Sequence, residues 1–241
     1  MASIVLVNPQ LAYSSWLAPI MRGMGDAAIK HGLALLSACL KEQGHEVSLI
    51  DLRLLRGWQE YDALIKNGRW DCLAVSANTS EQDDALECCR RAKRIQPSIL
   101  TIAGGIQPTM FPDEFLKTGA VDFVMKGEGE TSILEWIGHP SAFPQVIHGK
   151  MPDLDRLPFA DRELWPDYRR RTRFPWLGRH LATPIVEMIA HRGCPWHCKF
   201  CCGPGEQNLF AKVRGRGVEP VMRELSQLHD RYRFQGVFFH D

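Results

Sequence analysis

Residues 31–52, HGLALLSACLKEQGHEVSLIDL, predict a helix followed directly by a strand. Leu33, Leu36 and Leu40 recur at helical spacing, and Gly44 is typical of the residue that follows a helix end. The segment after Gly44 is rich in apolar and β-branched residues, as expected of a buried strand. This helix–strand unit indicates an α/β architecture, because it is repeated along the first part of the chain.

Strand-like and helix-like segments alternate from the N-terminus to residue 137. Apolar segments that predict strands lie at residues 3–7, 46–52, 70–77, 99–105 and 121–127. Continuous apolar strands separated by helices are typical of a parallel sheet that is covered by helices on both faces. We therefore predict that residues 1–137 form a flavodoxin-like, doubly wound sheet of five parallel strands.

In sheets of this type, ligands bind beyond the carboxyl ends of the strands. The candidate cofactor-binding residues follow the predicted strand ends: Gln10, Ser76, Asn78, Thr79, Gly104, Gly105, Gly127, Glu128 and Gly129. Glycines let the backbone approach a bulky ligand without an intervening Cβ, and hydroxyl and amide groups can bond a nucleotide tail. Glycines after strands are also ordinary turn residues, so the prediction depends on the combination.

The rest of the chain divides into a connector and a second α/β segment. Residues 138–183 are rich in proline and show little periodicity, so we expect a long connection over the protein surface. Residues 184–241 predict a strand, a cysteine-containing loop, a helix and another strand. So few elements cannot bury a core by themselves. We expect either a piece of a longer protein or packing against the first domain or a partner.

Composition disfavours several classes of function. The 241 residues carry a net charge of +1, so there is no global basic surface for nucleic acid. No apolar run is long enough to cross a bilayer, and the N-terminus lacks the basic start of a signal peptide. We therefore expect a cytoplasmic protein, in which clustered cysteines favour metal binding or catalysis over disulfides.

Residues 192–202, RGCPWHCKFCC, contain four of the eight cysteines of the chain. Cys194, Cys198 and Cys201 are spaced C-x3-C-x2-C, so three thiolates on one loop can hold three corners of an iron–sulfur cubane and leave its fourth iron open. A zinc site would need another ligand, such as the neighbouring histidine or Cys202, and the spacing lacks the paired C-x2-C of a zinc ribbon. A chance cluster in a folded core is the remaining alternative.

CPWHCKFC resembles the CxxxCx(aromatic)C signature of the radical SAM superfamily, with Gly193 before the first cysteine and Phe200 before the last. The resemblance implies a [4Fe–4S] cluster whose open iron binds S-adenosylmethionine (SAM), and reductive cleavage of SAM to methionine and a 5′-deoxyadenosyl radical. The implied cluster ligands are Cys194, Cys198 and Cys201. Phe200 would shield the cluster and approach the adenine. The implied catalytic fold is a partial (β/α)6 barrel, of which residues 184–241 would form the first β-α-β unit and Asp241 a SAM contact.

The first domain resembles the cobalamin-binding module that precedes the barrel in one radical SAM subfamily. The matching stretches are HGLALLSACLKEQGHEVSLIDL, AVSANTSE, TIAGGIQPT and VDFVMKGEGE, together with DLDRLPFADRELW in the connector. The DxHxxG motif of corrinoid proteins that supply a histidine to cobalt is absent. We therefore expect no histidine ligand, and a lower cobalt face that is empty, bound to water or met by a residue such as Gln10, Leu11 or Tyr13.

Together the two resemblances imply a cobalamin-dependent radical SAM enzyme, with a [4Fe–4S] cluster, SAM and cobalamin as cofactors. The leading expectation is methyl transfer to an unactivated carbon, through a 5′-deoxyadenosyl radical and methylcobalamin. The alternatives are a cyclase, a ring-contracting or oxidising enzyme, or a non-catalytic module that binds the corrinoid and the cluster. An electron donor such as flavodoxin or ferredoxin would be a partner, while the small-molecule or peptide substrate and the catalytic residues are not assigned.

Overall fold

The computed structural model describes residues 1–9, 29–173, 183–196, 198, 201 and 212–241. In these ranges the main sheet consists of β1 (Ser3–Asn8), β2 (Glu46–Asp51), β3 (Cys72–Ser76), β4 (Leu100–Gly104), β5 (Phe123–Lys126) and β6 (Val146–His148). The strand order is β2-β1-β3-β4-β5-β6, and every neighbouring pair is parallel. The carboxyl ends therefore meet at one edge, where Asn8 is in register with Asp51, and Ser76 with Gly104.

Helices cover both faces of this sheet. The helices of the first part of the chain are α1 (His31–Glu42), α2 (Trp58–Asn67), α3 (Gln82–Ile95), α4 (Ile106–Met110), α5 (Pro112–Leu116) and α6 (Ser132–Gly138). Successive side chains of a strand point to opposite faces, so Val5 and Val7 of β1 pack with α2 and α3, whereas Ile4 and Leu6 pack with α1 and α6. This two-sided burial explains why the strands are apolar throughout.

The predicted flavodoxin-like, doubly wound parallel sheet is confirmed, and it has one strand more than expected. The additional strand, β6, pairs with β5 and lies in the proline-rich segment, where three residues are too few to show a period. Helices α2 and α4 were not anticipated either. Helix α3 has Asp83 and Asp84 in its first turn and Lys93 and Arg94 in its last, a distribution that the helix dipole favours.

The second α/β segment packs on the same face of the sheet as α1. It contains β7 (Ile185–Met188), α8 (Val218–Tyr232) and β10 (Gly236–Phe239), and the two strands are parallel neighbours. Val186, Met188 and Leu228 share a hydrophobic core with Leu33 and Trp136. The segment therefore obtains its core from the first domain, which was one of the two expectations.

One short strand precedes the cysteine loop and another follows it, and the two strands pair in antiparallel fashion. They are β8 (His191–Arg192) and β9 (Arg214–Gly215), with Arg192 in register with Arg214. The pair holds the two ends of the loop next to each other.

The connector was expected to run over the protein surface, but part of it is buried. Its Trp165, which follows the short helical turn Arg162–Leu164, is buried beside α7 (Tyr168–Arg171). The indole Nε1 of Trp165 donates to Asp51 Oδ2 at 3.2 Å, and Arg171 pairs with the same carboxylate oxygen. Irregular backbone hides such burial from a periodicity argument, because single large side chains reach the core without a repeating pattern.

Candidate cofactor site

A cavity of about 580 Å³ lies between the carboxyl edge of the sheet and the residues that follow β7 and β10. The sheet side is formed by the ends of β3, β4 and β5, and the opposite side by residues such as Ile189, Gly193 and Asp241. Gly193 directly precedes Cys194. The cavity therefore borders the start of the cysteine loop, and both α/β segments of the chain contribute to its wall.

The walls of the cavity are mainly apolar. Leu33 and Leu36 of α1, Ile102 of β4, Met125 of β5 and Ile133 of α6 line it. Such a surface suits a large flat ligand whose polar groups lie at its rim, because burial of apolar area drives binding while few polar groups fix orientation.

Most of the predicted cofactor-binding residues meet at this cavity. Those on its wall are Ser76, Gly104, Gly105, Gly127, Glu128 and Gly129. Gly105 has φ +96°, and a Cβ there would lie 2.8 Å from the carbonyl oxygen of Ala77, so the turn after β4 requires glycine. A Cβ at Gly104 would meet no atom nearer than 3.8 Å.

Asn78 and Thr79 lie outside the cavity wall and have local partners. The side chain of Asn78 and that of Glu81 form a capping box around the short helical turn ahead of α3. The hydroxyl of Thr79 donates to Gln107 Oε1 at 2.8 Å. Their contacts in this structure stabilise the loop after β3, and their predicted role in cofactor binding stays a prediction.

Glu128 is held by arginines from the second α/β segment. Arg192 Nη1 donates to Glu128 Oε2 at 2.8 Å, and its Nη2 donates to Glu130 Oε1 at 2.6 Å. Arg214 Nη2 also donates to Glu128. Burial alone would lower the pKa of Arg192, but the carboxylates of Glu130 and Glu128 outweigh it and raise the pKa. This ion-pair network, which we call the arginine clasp (Glu128, Glu130, Arg192 and Arg214), fastens both ends of the cysteine loop to the loop after β5.

The three cysteines of the predicted cluster are exposed, unlike those of the first domain. The thiols of Cys194, Cys198 and Cys201 are solvent-accessible, and the Cys201 amide donates to the Cys198 carbonyl at 3.0 Å. The free cysteines of the first domain are all buried: Cys39, Cys72, Cys88 and Cys89. Accessible thiols on a loop are available as metal ligands, whereas buried thiols pack as small apolar groups.

Asp241 ties the end of β10 to the start of the cysteine loop. The amides of Ala190 and His191 donate to Asp241 Oδ1 at 2.7 and 2.8 Å, and His191 Nδ1 lies 3.2 Å from its Oδ2. Burial would raise the pKa of Asp241, but these backbone hydrogen bonds outweigh it and hold the pKa below its usual value. The carboxylate therefore stays charged at the cavity wall.

Some predictions fall on residues that the structure does not describe. Gln10, Leu11 and Tyr13, the candidates after β1, lie outside the described residues, as do His197, Phe200 and Cys202 of the cysteine loop.

Sequence reasoning missed four residues that line or enclose the site: His191, Arg192, Arg214 and His240. The available signal was position, because three of them lie within three residues of Cys194 or at the end of a predicted strand. Residue type alone gave no reason to select them.

In the described part of the chain, no helix has both the length and the apolar character that a membrane crossing needs.

The similarity to known proteins extends over both α/β segments that line the cavity. Residues 21–136 match the family model described as the B12 binding domain. An uncharacterized methyltransferase of Pyrococcus horikoshii is 26% identical over 242 residues, which cover 92% of this chain and 50% of that protein. The hopanoid C-3 methylase of Methylococcus capsulatus is 28% identical over 229 residues, 87% of this chain and 41% of that one. The anaerobic magnesium-protoporphyrin IX monomethyl ester cyclase of Synechocystis is 22% identical over 225 residues, which cover 85% of this chain and 43% of that protein. The chain thus spans half or less of the length of these curated relatives.

Two solved structures share the fold. OxsB, described as a cobalamin-dependent S-adenosylmethionine radical enzyme and solved with aqua-cobalamin and SAM, superimposes with a TM-score of 0.74 at 15% identity. The match covers 100% of this chain and 34% of OxsB. The radical SAM methyltransferase TsrM of Kitasatospora setae, solved with tryptophan and a SAM analogue, gives a TM-score of 0.69 at 15% identity and covers 100% and 48%.

The fold and the matched residues define a B12-binding type of α/β domain joined to a further β-α-β unit. Over most of its length the chain is similar to curated methyltransferases and to a cyclase, and it shares the fold of two solved radical SAM enzymes.

Proposed function

We propose that this chain carries the cobalamin pocket and the cluster loop of a radical SAM enzyme that transfers a methyl group to an unactivated carbon. The observation that carries the proposal is the shared cavity, whose wall runs from the glycines of the sheet edge to Gly193, next to Cys194. When bound, the [4Fe–4S] cluster and SAM would supply a 5′-deoxyadenosyl radical, and cobalamin would supply the methyl group.

The described residues fit these groups. A flat corrin needs an apolar wall, which α1, β4 and β5 provide, and close backbone approach, which Gly104 and Gly127 permit. The donor set Cys194, Cys198 and Cys201 fits a site-differentiated cluster, because three thiolates leave a fourth iron open. Ser76 offers a hydroxyl at the rim of the cavity for an amide or phosphate of the ligand.

The residues around the cavity would position the two halves of the site. The arginine clasp sets the distance between the sheet edge and the cysteine loop, since Arg192 bonds carboxylates of the first domain two residues before Cys194. Asp241 fixes the backbone of Ala190 and His191 and presents a negative charge, which would favour the ammonium or sulfonium group of SAM. A reducing protein such as a flavodoxin or ferredoxin would deliver the electron to the exposed loop.

Corrinoid binding tests the pocket. We expect anaerobically purified protein to retain cobalamin, detected by its visible spectrum, and Gly104→Phe to lose most of it because the ring fills the cavity. Gly138→Phe is the matched control, since Gly138 lies at the end of α6, has open space around it and does not line the cavity. No retained corrinoid, or equal retention in both variants, would contradict the proposed pocket.

Iron and SAM cleavage test the cluster. We expect four irons per chain after reconstitution, as in a cubane, and their loss in Cys198→Ser. Reduction in the presence of SAM should then release 5′-deoxyadenosine. A full cluster without 5′-deoxyadenosine would favour the non-catalytic module, and a colourless protein with one zinc ion at the cysteines would favour a zinc site.

A second candidate function is a cyclisation or oxidation that uses the same cofactors without methyl transfer. The similarity to the Synechocystis cyclase favours it. Methyl-labelled SAM distinguishes the two without knowledge of the substrate. A methyltransferase should form S-adenosylhomocysteine and labelled corrinoid under reducing conditions, whereas a cyclase of this type should form neither.

A further inference from the structure

Two histidines and a glutamate converge outside the cysteine loop. His31, Glu187 and His240 each offer one ligand atom, and these atoms all lie within 4.8 Å of one another. His240 Nε2 is 2.9 Å from Glu187 Oε2, and the rings of His31 and His240 are 5.2 Å apart between centroids.

The three residues come from different elements with fixed backbones. His31 is the first residue of α1, Glu187 lies in β7, and His240 follows β10. The amide of His240 donates to the Met188 carbonyl at 2.9 Å, so the parallel pairing of β7 and β10 sets its position beside Glu187. The cluster therefore spans the junction between the first domain and the second α/β segment.

His31 presents a buried imidazole to the cluster. Its Nε2 is buried and has no hydrogen-bond partner among the described residues. A buried polar nitrogen without a partner is unfavourable, and a ligand bound to that nitrogen would satisfy it.

The local charges allow a cation. Arg162 is a nearby positive charge, but its Nη1 pairs with Glu224 at 2.7 Å in a buried ion pair. Its Nη2 bonds the backbone carbonyl of Glu187 and leaves the carboxylate to His240. Arg216 is also paired with Glu224. Burial raises the pKa of Glu187, and its carboxyl group lies within hydrogen-bonding distance of His240.

We propose that His31, Glu187 and His240 form a binding site for a divalent transition-metal ion of the Zn²⁺ type. Two imidazoles and one carboxylate are a common zinc donor set and leave another position for water. A cavity of about 30 Å³ borders His31, enough for one water molecule. Binding would replace the His240–Glu187 hydrogen bond by coordination and would join α1 to β7 and β10. The site is separate from the three cysteines and does not depend on the proposed reaction.

The test removes the competing thiolates first. Cys194, Cys198 and Cys201 are exposed, so serine at these positions leaves the core intact. In this background, with Cys202→Ser added, the protein is stripped with chelator, loaded with zinc chloride and desalted, and its zinc is measured by mass spectrometry. We expect one zinc ion per chain. His31→Ala and His240→Ala should weaken zinc binding by more than about 100-fold, beyond the loss caused by removing an outer partner.

His139→Ala is the matched control, because His139 is an exposed histidine directly after α6, does not line the cavity and is not one of the three ligands. It should keep its zinc. Cobalt(II) should give the visible bands of nitrogen and oxygen coordination in the parent and lose them in His240→Ala. Circular dichroism shows whether each variant folds. Because the side chain of His240 is partly exposed, we expect His240→Ala to fold and to decide the test if His31→Ala does not fold. Absence of stoichiometric zinc, or zinc retained in His240→Ala, would overturn the proposal.

Discussion

Arg192 Nη1 lies 2.8 Å from Glu128 Oε2, and this contact joins the residue two positions before Cys194 to the loop after β5. Both side chains are largely buried, and Arg192 also pairs with Glu130. Ion pairs therefore join the loop after β5 to the start of the cysteine loop. These ion pairs hold the two sides of the cavity in position.

Removal of Arg192 should destabilise the protein. Arg192→Ala leaves Glu128 and Glu130 with less compensation in a mostly buried site, so we expect the free energy of unfolding to fall by about 3 kcal/mol. Arg192→Lys should recover part of this loss, because lysine keeps the charge without the bidentate geometry. Urea denaturation monitored by circular dichroism measures both. Arg156→Ala, at an exposed pair with Asp153, should change stability by less than about 0.5 kcal/mol.

Asp51 should be a stability centre at the carboxyl end of β2. Its carboxylate is buried and accepts from Arg53, Trp165 and Arg171. Asp51→Ala leaves buried arginines without this counterion, and we expect a loss of about 3–5 kcal/mol in unfolding free energy. Trp165→Phe removes a single hydrogen bond and should cost about 1–3 kcal/mol. If the Asp51→Ala variant melted at the same temperature as the parent, the bonds from Asp51 to Trp165 and Arg171 of the connector would not stabilise the fold.

Alkylation should separate the cysteines by burial and pKa. Burial raises the pKa of Cys39 and of Cys89 to about 12, and it raises the pKa of Cys72 and Cys88 as well. Because the thiolate is the reactive form, these thiols should stay unmodified by iodoacetamide between pH 7 and pH 9.

The exposed cysteines of the predicted cluster should react in the metal-free protein under the same conditions. Peptide mass spectrometry of Cys194, Cys198 and Cys201 measures the modification. Denaturant is the control, since unfolding should expose all the thiols. Modification of Cys72 in the folded protein would show that the core opens.

The last residue of β4, Gly104, and the glycine that follows it, Gly105, should respond differently to alanine. Gly105 has a positive φ and a Cβ there would approach the Ala77 carbonyl to 2.8 Å, so Gly105→Ala should cost about 1–3 kcal/mol of stability. Gly104→Ala meets no close atom and should stay within about 0.5 kcal/mol of the parent. Melting temperatures of the pair provide the comparison. Equal stability of the two variants would mean that the turn after β4 can relax.

The sequence by itself determined the strand–helix alternation, the parallel sheet and the cysteine spacing. These features are local, since apolar periodicity and a motif of three closely spaced cysteines depend on neighbours along the chain. The same reasoning selected the glycines and Ser76 of the cavity wall, because carboxyl ends of parallel strands meet at one edge.

The tertiary structure decided which distant residues meet. Arg192 and Glu128 are 64 positions apart, and Asp51 and Trp165 are 114 positions apart, so no local pattern could pair them. The same holds for His31, Glu187 and His240, which come together only because β7 and β10 pack against α1. Packing of the second α/β segment on the sheet brings buried charges close, and burial makes their pairing strong enough to shape the site.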